Sequence, residues 1–369
     1  MRIAYVMTSL GVGGAEKQVV ALAERMTARG HAVSLLVLRG RQPEEWPTAL
    51  HQDWVVRLDM RKTPFSLCAG LAKAKRFLRS FEPDLIHSHT YPANIAARLL
   101  KISLPNAAVL STVHNVYEGA WPRMFAYRIT DPLCRHTTAV SQAAADRYVR
   151  LKAVPLCKIS VLTNGIDTME FAPNAERRSQ LRAEMRVAGE FVWLAAGRIV
   201  PAKDYPNLLR AFAKVRHKFP KAQLWIAGES TSAESVAIHA LSADLGVAVR
   251  WLGLRRDIPA LLDAADGFVL SSAWEGMPLA AGEAMAMQMP VIATDVGGVR
   301  EMVGDAGTIV PAKSPKSLAQ AMLALLQALP EARSMIGRAA RERIQNYFEI
   351  NAKIDEWESL YWALLADEK

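Results

Sequence analysis

The chain is poor in the features that staple, anchor or export a protein. Its three cysteines, Cys68, Cys134 and Cys157, stand far apart among 369 residues with no CxxC pair. That excludes a disulfide framework and a cysteine zinc site, and reads as buried thiols of a reducing compartment. No apolar run approaches the roughly 18 residues of a membrane-spanning helix. The start, MRIAYVMTSL, has neither the basic leader nor the long apolar core of a signal peptide, so a cytoplasmic location is expected. There is no internal repeat and no low-complexity tract. Only 22% of residues are charged and 51% are hydrophobic, which excludes a disordered chain. The length suits two domains.

Short Val/Ile/Leu runs alternate with helical periodicity along the whole sequence. Ile3–Met7, Val33–Leu38, Leu85–His87, Val109–Val113 and Thr137–Val140 read as strands. Ala15–Arg29 and Leu67–Phe81 read as amphipathic helices between them. The pattern restarts with strands at Val192–Ala195, Leu224–Ala227, Val249–Leu252, Phe268–Leu270, Val291–Thr294 and Thr308–Val310. Helical segments near 205–218, 234–245, 257–265, 279–287 and 315–328 separate these. Such alternation predicts α/β architecture: two Rossmann-like, doubly wound parallel sheets facing a cleft. The expected domains are 1–168 and 169–347, with the break in the polar stretch 167–190. A helical end over 348–369 carries Trp357, Tyr361 and Trp362 and reads as a packing helix.

Charge is divided unequally. Residues 1–165 hold 22 Lys and Arg against 11 Asp and Glu, a net +11, whereas residues 166–369 hold 23 against 25, a net −2. A basic half suits an anionic membrane surface, a phosphate-bearing substrate or nucleic acid. An inert basic surface is the plain alternative. The local clusters are Arg57, Arg61 and Lys62 near Trp54, then Lys73, Lys75, Arg76 and Arg79 in one helix.

Chemistry gathers at strand ends. Glu275-Gly276-Met277-Pro278-Leu279, followed by Glu283, joins a strand to an apolar helix. A helix start offers unpaired N–H groups and a positive dipole end, which favour a diphosphate. Gly197-Arg198 and Lys203 follow the first strand of the second half and can neutralise such a group without metal. The chain has no Asp-x-Asp pair to hold a divalent ion. Gly11-Val12-Gly13-Gly14-Ala15-Glu16 fails the dinucleotide fingerprint, because Glu16 stands where the third glycine belongs. His114 ends one strand, and His87 and His89 flank Ser88 at the end of another. A lone histidine is more often a satisfied structural group than a catalytic one, and the place at a strand's carboxyl end is what singles out His114, with His89 behind it.

Taken together these pieces resemble the retaining glycosyltransferases of family four, with the GT-B architecture, over nearly the whole chain. The resemblance is carried by Gly13-Gly14-Ala15-Glu16, His114, Ser141, Asn164-Gly165-Ile166-Asp167, Gly197-Arg198 with Lys203, and Glu275 with Glu283. It implies a retaining, metal-independent transferase that needs no cofactor. The donor is a UDP- or GDP-sugar, and the acceptor is a glycan or lipid-linked hydroxyl in envelope, exopolysaccharide or lipopolysaccharide synthesis. Glu283 then resembles the ribose ligand, Arg198 and Lys203 the diphosphate clamp, and Glu275 the ligand of sugar hydroxyls. Gly276, Met277, Pro278 and Leu279 supply backbone contacts, Leu254 lies at the base, and Gly13 and Gly14 lie on the donor side. His114 is similar to the family's active-site histidine, with His89 a further acceptor-side candidate. The C-terminal helix is expected to cross back to the first domain. Asp204, where many relatives have glycine, and Met277-Pro278, where Phe-Gly is frequent, depart from the pattern and bear on donor identity. The expected place of work is the inner face of the cytoplasmic membrane.

Three other readings have distinct signatures. A nucleotide-sugar 2-epimerase of the same architecture would convert donor without acceptor. A non-enzymatic nucleotide or nucleic-acid binder would leave Arg198 and Lys203 unexplained, and the scattered cations carry no RNA-binding signature. A pyridoxal-phosphate phosphorylase needs a longer chain.

Overall fold

The computed structural model describes residues 1–11, 13–40, 55–119, 121–229 and 233–366. It divides into two units, Met1–Gly165 with Asn351–Lys369, and Ile166–Ile350.

The first unit runs β1 (Arg2–Met7), α1 (Gly14–Ala28), β2 (Ala32–Val37), β3 (Val55–Arg57), α2 (Pro64–Phe81), β4 (Leu85–His89), α3 (Tyr91–Lys101), β5 (Ala108–Val113), α4 (Trp121–Thr130), β6 (His136–Ala139), α5 (Gln142–Arg150) and β7 (Ile159–Val161). Among the described residues its seven strands lie in the order β3-β2-β1-β4-β5-β6-β7, and every pairing is parallel. Val6, Leu36, Ile86 and Val109 meet Ala74, Leu78 and Ala97 in one core. Each large aliphatic side chain buried in this way stabilises by about 1.5–3 kcal/mol. Arg98 of α3 is fully buried. Its guanidinium donates to Ser111 Oγ at 3.2 Å, the Tyr127 carbonyl at 2.9 Å and Thr137 Oγ1 at 3.1 Å. These acceptors tie α3 to β5, α4 and β6, and meet the hydrogen-bonding needs of a cation taken out of water.

The second unit runs α6 (Ala175–Glu184), β8 (Val192–Ala196), α7 (Tyr205–Lys218), β9 (Gln223–Ala227), α8 (Ala233–Asp244), β10 (Val249–Gly253), α9 (Ile258–Ala264), β11 (Gly267–Leu270), α10 (Leu279–Ala286), β12 (Val291–Thr294), α11 (Val299–Val303), β13 (Thr308–Val310), α12 (Pro315–Gln327) and α13 (Pro330–Tyr347). The last helix, α14 (Ile350–Ala366), belongs almost wholly to the first unit. Strand order here is β10-β9-β8-β11-β12-β13, again all parallel. Trp193, Leu208, Phe212, Ile226 and Met322 share its core.

The expected α/β class with two doubly wound sheets is what the chain adopts. Several local readings differ. The stretch 167–190 is not a break: it carries α6, whose Arg178 donates to Asp266 at 2.6 Å and whose Arg177 pairs with Asp263. The chain passes between units at Gly165–Ile166 and again at Ile350–Asn351. The strands β3 and β7, three residues each, go unread in the sequence: neither holds a fully buried side chain, so no core-type apolar run marks them. Of the cysteines, only Cys134 is buried; Cys68 lies on the exposed side of α2 and Cys157 in a surface turn, against the usual burial of free cysteine. Trp54 lies outside the described residues.

The helix α14 packs through Trp357 and Tyr361, while Trp362 is half exposed. Its Glu358 and Asp355 each accept from Arg29 at 2.5 Å, and Glu358 also meets His31 Nε2 at 2.7 Å.

Candidate active site

In an open parallel sheet a ligand settles beyond the carboxyl ends of the strands, where the strand order reverses. In the second unit the reversal falls between β8 and β11. The segments that follow these strands are Gly197–Lys203 and Ser271–Pro278, and the structure joins them. Lys203 Nζ donates to Glu275 Oε1 at 2.6 Å, and Ser272 Oγ donates to the same oxygen at 2.6 Å. The Ala273 amide donates to the Ala202 carbonyl at 2.8 Å, and Ser271 Oγ donates to the Lys203 carbonyl at 2.8 Å. Thr294 Oγ1 holds the Ser272 carbonyl at 2.7 Å, and the Gly298 amide holds the Gly276 carbonyl at 3.0 Å. The loop is therefore fixed from three sides before any ligand arrives.

Two backbone features shape this end of the unit. A Cβ on Gly228 would lie 2.0 Å from the Gly197 carbonyl oxygen, so only glycine lets the ends of β8 and β9 approach so closely. Asp204 takes φ 44, ψ 49, the left-handed region, and caps α7 by accepting from the Asn207 amide. The glycine expected from the resemblance is the residue that region favours. Asp bears the conformation because its carboxylate caps the helix.

Glu275, Gly276, Met277, Pro278 and Leu279 are buried together with Glu283, which lies in the second turn of α10. Arg198 is exposed beside Gly197. Leu254 is 44% exposed just past β10, two strands from β8 in the sheet order. A depression lined by Glu190, Arg216, Lys221 and Arg250 lies at the amino ends of β9 and β10, away from this cluster. Arg250 there is turned to the Met185 carbonyl at 2.6 Å and Arg216 to the Pro220 carbonyl at 3.3 Å.

In the first unit the reversal falls between β1 and β4. Parallel strands buried on both faces read as continuous apolar runs, yet β4 ends in His87-Ser88-His89, all fully or almost fully buried. Neighbouring groups satisfy most of this polarity. His87 Nδ1 meets Tyr361 Oη at 2.7 Å and its Nε2 meets Thr112 Oγ1 at 2.7 Å. His89 Nδ1 meets His114 Nε2 at 2.9 Å. The Nε2 of His89 is buried with no hydrogen-bond partner. Burial lowers the pKa of His114 to about 4 and holds His87 and His89 well below the usual imidazole range, with like charge among the three adding to the effect for His87 and His89. All three are neutral near pH 7.

The support around His114 has no signature in the sequence pattern. Glu118 accepts from Tyr127 and Tyr148 hydroxyls at 2.9 Å each and from the His114 amide. Burial raises its pKa. Gly13 caps α1 and Gly14 opens it, and a Cβ on Gly13 would collide with the Glu16 carboxylate. Ser141 caps α5 by accepting from the Ala144 amide. Gly165 is held by Gln18 of α1, through its carbonyl at 2.6 Å and its amide at 3.0 Å. Among the described residues no group of three or more His, Cys, Asp and Glu side chains gathers to hold a metal ion.

Two family patterns match the chain. "Glycosyl transferases group 1" covers residues 177–343 and "Glycosyltransferase Family 4" covers residues 12–170. A D-inositol 3-phosphate glycosyltransferase of Corynebacterium aurimucosum is 30% identical over 82% of this chain and 78% of its own. The chain belongs to glycosyltransferase family four. An Escherichia coli protein described as a UDP-Gal:alpha-D-GlcNAc-diphosphoundecaprenol alpha-1,3-galactosyltransferase is 28% identical over 79% of this chain and 78% of its own. Among solved structures, Anabaena HepE in complex with UDP and glucose superposes with a TM-score of 0.87 at 20% identity, covering 98% of this chain and all of that one. The fold is that of the GT-B glycosyltransferases, and the protein is a glycosyltransferase.

Proposed function

We propose that this glycosyltransferase takes a sugar from a nucleoside diphosphate donor, without metal and with retention of anomeric configuration, and places it on a membrane-held hydroxyl acceptor in cell-envelope polysaccharide synthesis. The observation that carries the reading is the Lys203–Glu275–Ser272 cluster at the sheet reversal of the second unit.

In this reading Lys203 and Arg198 meet the diphosphate, where fixed positive charge stabilises the leaving group as it gains negative charge. Glu275, released from part of its contact with Lys203, accepts from sugar hydroxyls, and Glu283 accepts from the ribose. The backbone of Gly276 to Leu279 lines the sugar, and Leu254 borders the base. The acceptor oxygen bonds to the anomeric carbon as the carbon–diphosphate bond breaks on the same face. The acceptor proton passes to the departing phosphate oxygen, so atoms balance and configuration is kept.

The histidines supply a neutral donor. If His89 Nδ1–H donates to His114 Nε2, the unpartnered Nε2 of His89 is a lone pair, a cheaper orphan than a buried N–H. His114 then carries its proton on Nδ1, available to a sugar hydroxyl. The membrane-held acceptor is supported by the basic first half and by the diphosphoundecaprenol acceptor named for the Escherichia coli relative. Incubation of purified protein with UDP-, GDP- and ADP-sugars and membrane extract tests the reading. Labelled sugar should appear on extractable lipid. Conversion of the donor to an isomer without acceptor would instead make it an epimerase.

A further inference from the structure

The helix α4 breaks the pattern that its neighbours follow. Its Trp121, Phe125 and Ile129 are 72%, 44% and 60% exposed, and a spacing of four sets them on one stripe. The Trp121 and Phe125 rings stack with centroids 5.1 Å apart. Pro122 and Pro132 extend the exposed apolar surface at either end. Single exposed apolar side chains need no explanation, but a contiguous patch does.

The charges around the stripe have one sign. Trp121–Thr130 contains Arg123 and Arg128, both exposed, and no acidic residue. The flanking carboxylates are occupied: Glu118 accepts from two tyrosines, and Asp131 pairs with Lys158 at 3.2 Å. Right-handed crossovers set α2, α3 and α4 on the same face of the sheet, and α3 packs against both of the others. On that face α2 exposes Phe65, Lys73, Arg76 and Arg79, and the end of α3 exposes Leu99 and the residue after it, Ile102.

We propose that the Trp121–Phe125–Ile129 stripe, with Arg123 and Arg128, is a lipid-docking surface that seats α4 in the headgroup plane of an anionic bilayer. The proposal rests on the membrane-held acceptor put forward above and names the surface that would meet the membrane. Tryptophan beside arginine suits the boundary between acyl chains and headgroups. A second copy is a poorer occupant. Two-fold pairing of the stripe would bring Arg128 toward its own copy, with no carboxylate on the helix to compensate.

The test uses the full-length protein with vesicles of phosphatidylcholine alone and of phosphatidylcholine mixed with phosphatidylglycerol. The wild type should sediment with the anionic vesicles at low salt. W121S/F125S/I129S should weaken that partition by at least about tenfold, and R128Q by about fivefold. Both variants should keep the wild-type melting temperature and the thermal shift on adding UDP-sugar. A wild type left in the supernatant with anionic vesicles overturns the proposal. So does a triple variant that sediments like wild type while K73E/R76E/R79E does not, which would move the membrane contact to α2. Light scattering that shows a dimer dissolved by the triple substitution would make the stripe a subunit interface instead. Absence of any UDP-sugar shift in the wild type would count against the donor reading alone and leave the vesicle result standing.

Discussion

The two units share one fold and treat charge in opposite ways. At the sheet reversal of the first, His87 and His89 are buried and His114 is half-buried, all three neutral and held by hydroxyls and by one another. At the same place in the second, a lysine and a glutamate are held as a charged pair. Both histidines of the second unit, His217 and His239, are exposed. The fold thus dictates where a site forms, and the side chains at the strand ends decide its electrostatics. A neutral, desolvated surface suits hydroxyl recognition. A fixed cation suits a phosphate leaving group.

Breaking the charged pair should have the largest effect. Arg198→Ala and Lys203→Ala should each slow nucleoside diphosphate release from the donor by about 10²–10³, the worth of roughly 2–4 kcal/mol for one preorganised electrostatic contact. Lys203→Ala also strands the buried Glu275 carboxylate, so its melting temperature should fall. The double variant K203M/E275Q should recover stability without recovering turnover, which separates the two effects. Wild-type turnover in either single variant would remove the clamp.

The next comparison lies within the second unit. Glu283→Ala should raise the KM for donor by about tenfold with little change in kcat, because a ribose contact is alike in ground and transition states. Glu275→Ala should mainly lower kcat. Steady-state kinetics with a donor series reads the split, and the reverse pattern would exchange the two roles.

Acid should separate the units. For His114 the folded pKa of about 4 lies below the ordinary 6.5, so its contribution is fully present above pH 6.5 and is lost as pH falls toward 4. At pH 5 the loss for this residue alone is about 2 kcal/mol, and His87 and His89 act in the same direction. Limited proteolysis at pH 5 should cut the first unit before the second. Equal resistance of both would show that the histidines are not held neutral.

The smallest effect tests a local departure. Asp204→Gly relieves the left-handed backbone while losing a side-chain cap, and should leave stability nearly unchanged. Asp204→Ala keeps the strain, loses the cap and should cost about 1 kcal/mol. Chemical denaturation of both variants measures the difference.

Much of this was legible before any coordinates. The long strands and the helices between them follow from period and composition, and Arg198, Lys203, Glu275 and His114 stand out because they follow strands where apolar residues stop. What could not be read were contacts made across the fold. Tyr361 reaches His87 from 274 positions away, and Glu118 holds the His114 amide through a turn with no sequence signature. The exposed face of α4 was hidden for a different reason. Trp121, Phe125 and Ile129 have the composition of a core stripe, and only the buried Met124 and Tyr127 on the other side show which face packs. The polar stretch 167–190 misled because arginines that look solvated in sequence are spent on Asp263 and Asp266.

The central claim is that the second unit binds a nucleoside diphosphate sugar through Lys203, Arg198 and Glu283 without metal. Isothermal titration of UDP-, GDP- and ADP-sugars into the wild type and Lys203→Ala, in excess EDTA, tests it most directly. The account predicts that at least one donor binds the wild type in EDTA and binds the variant about tenfold or more weakly. Binding that appears only when Mg²⁺ or Mn²⁺ is added, or that is equal in the two proteins, would contradict it.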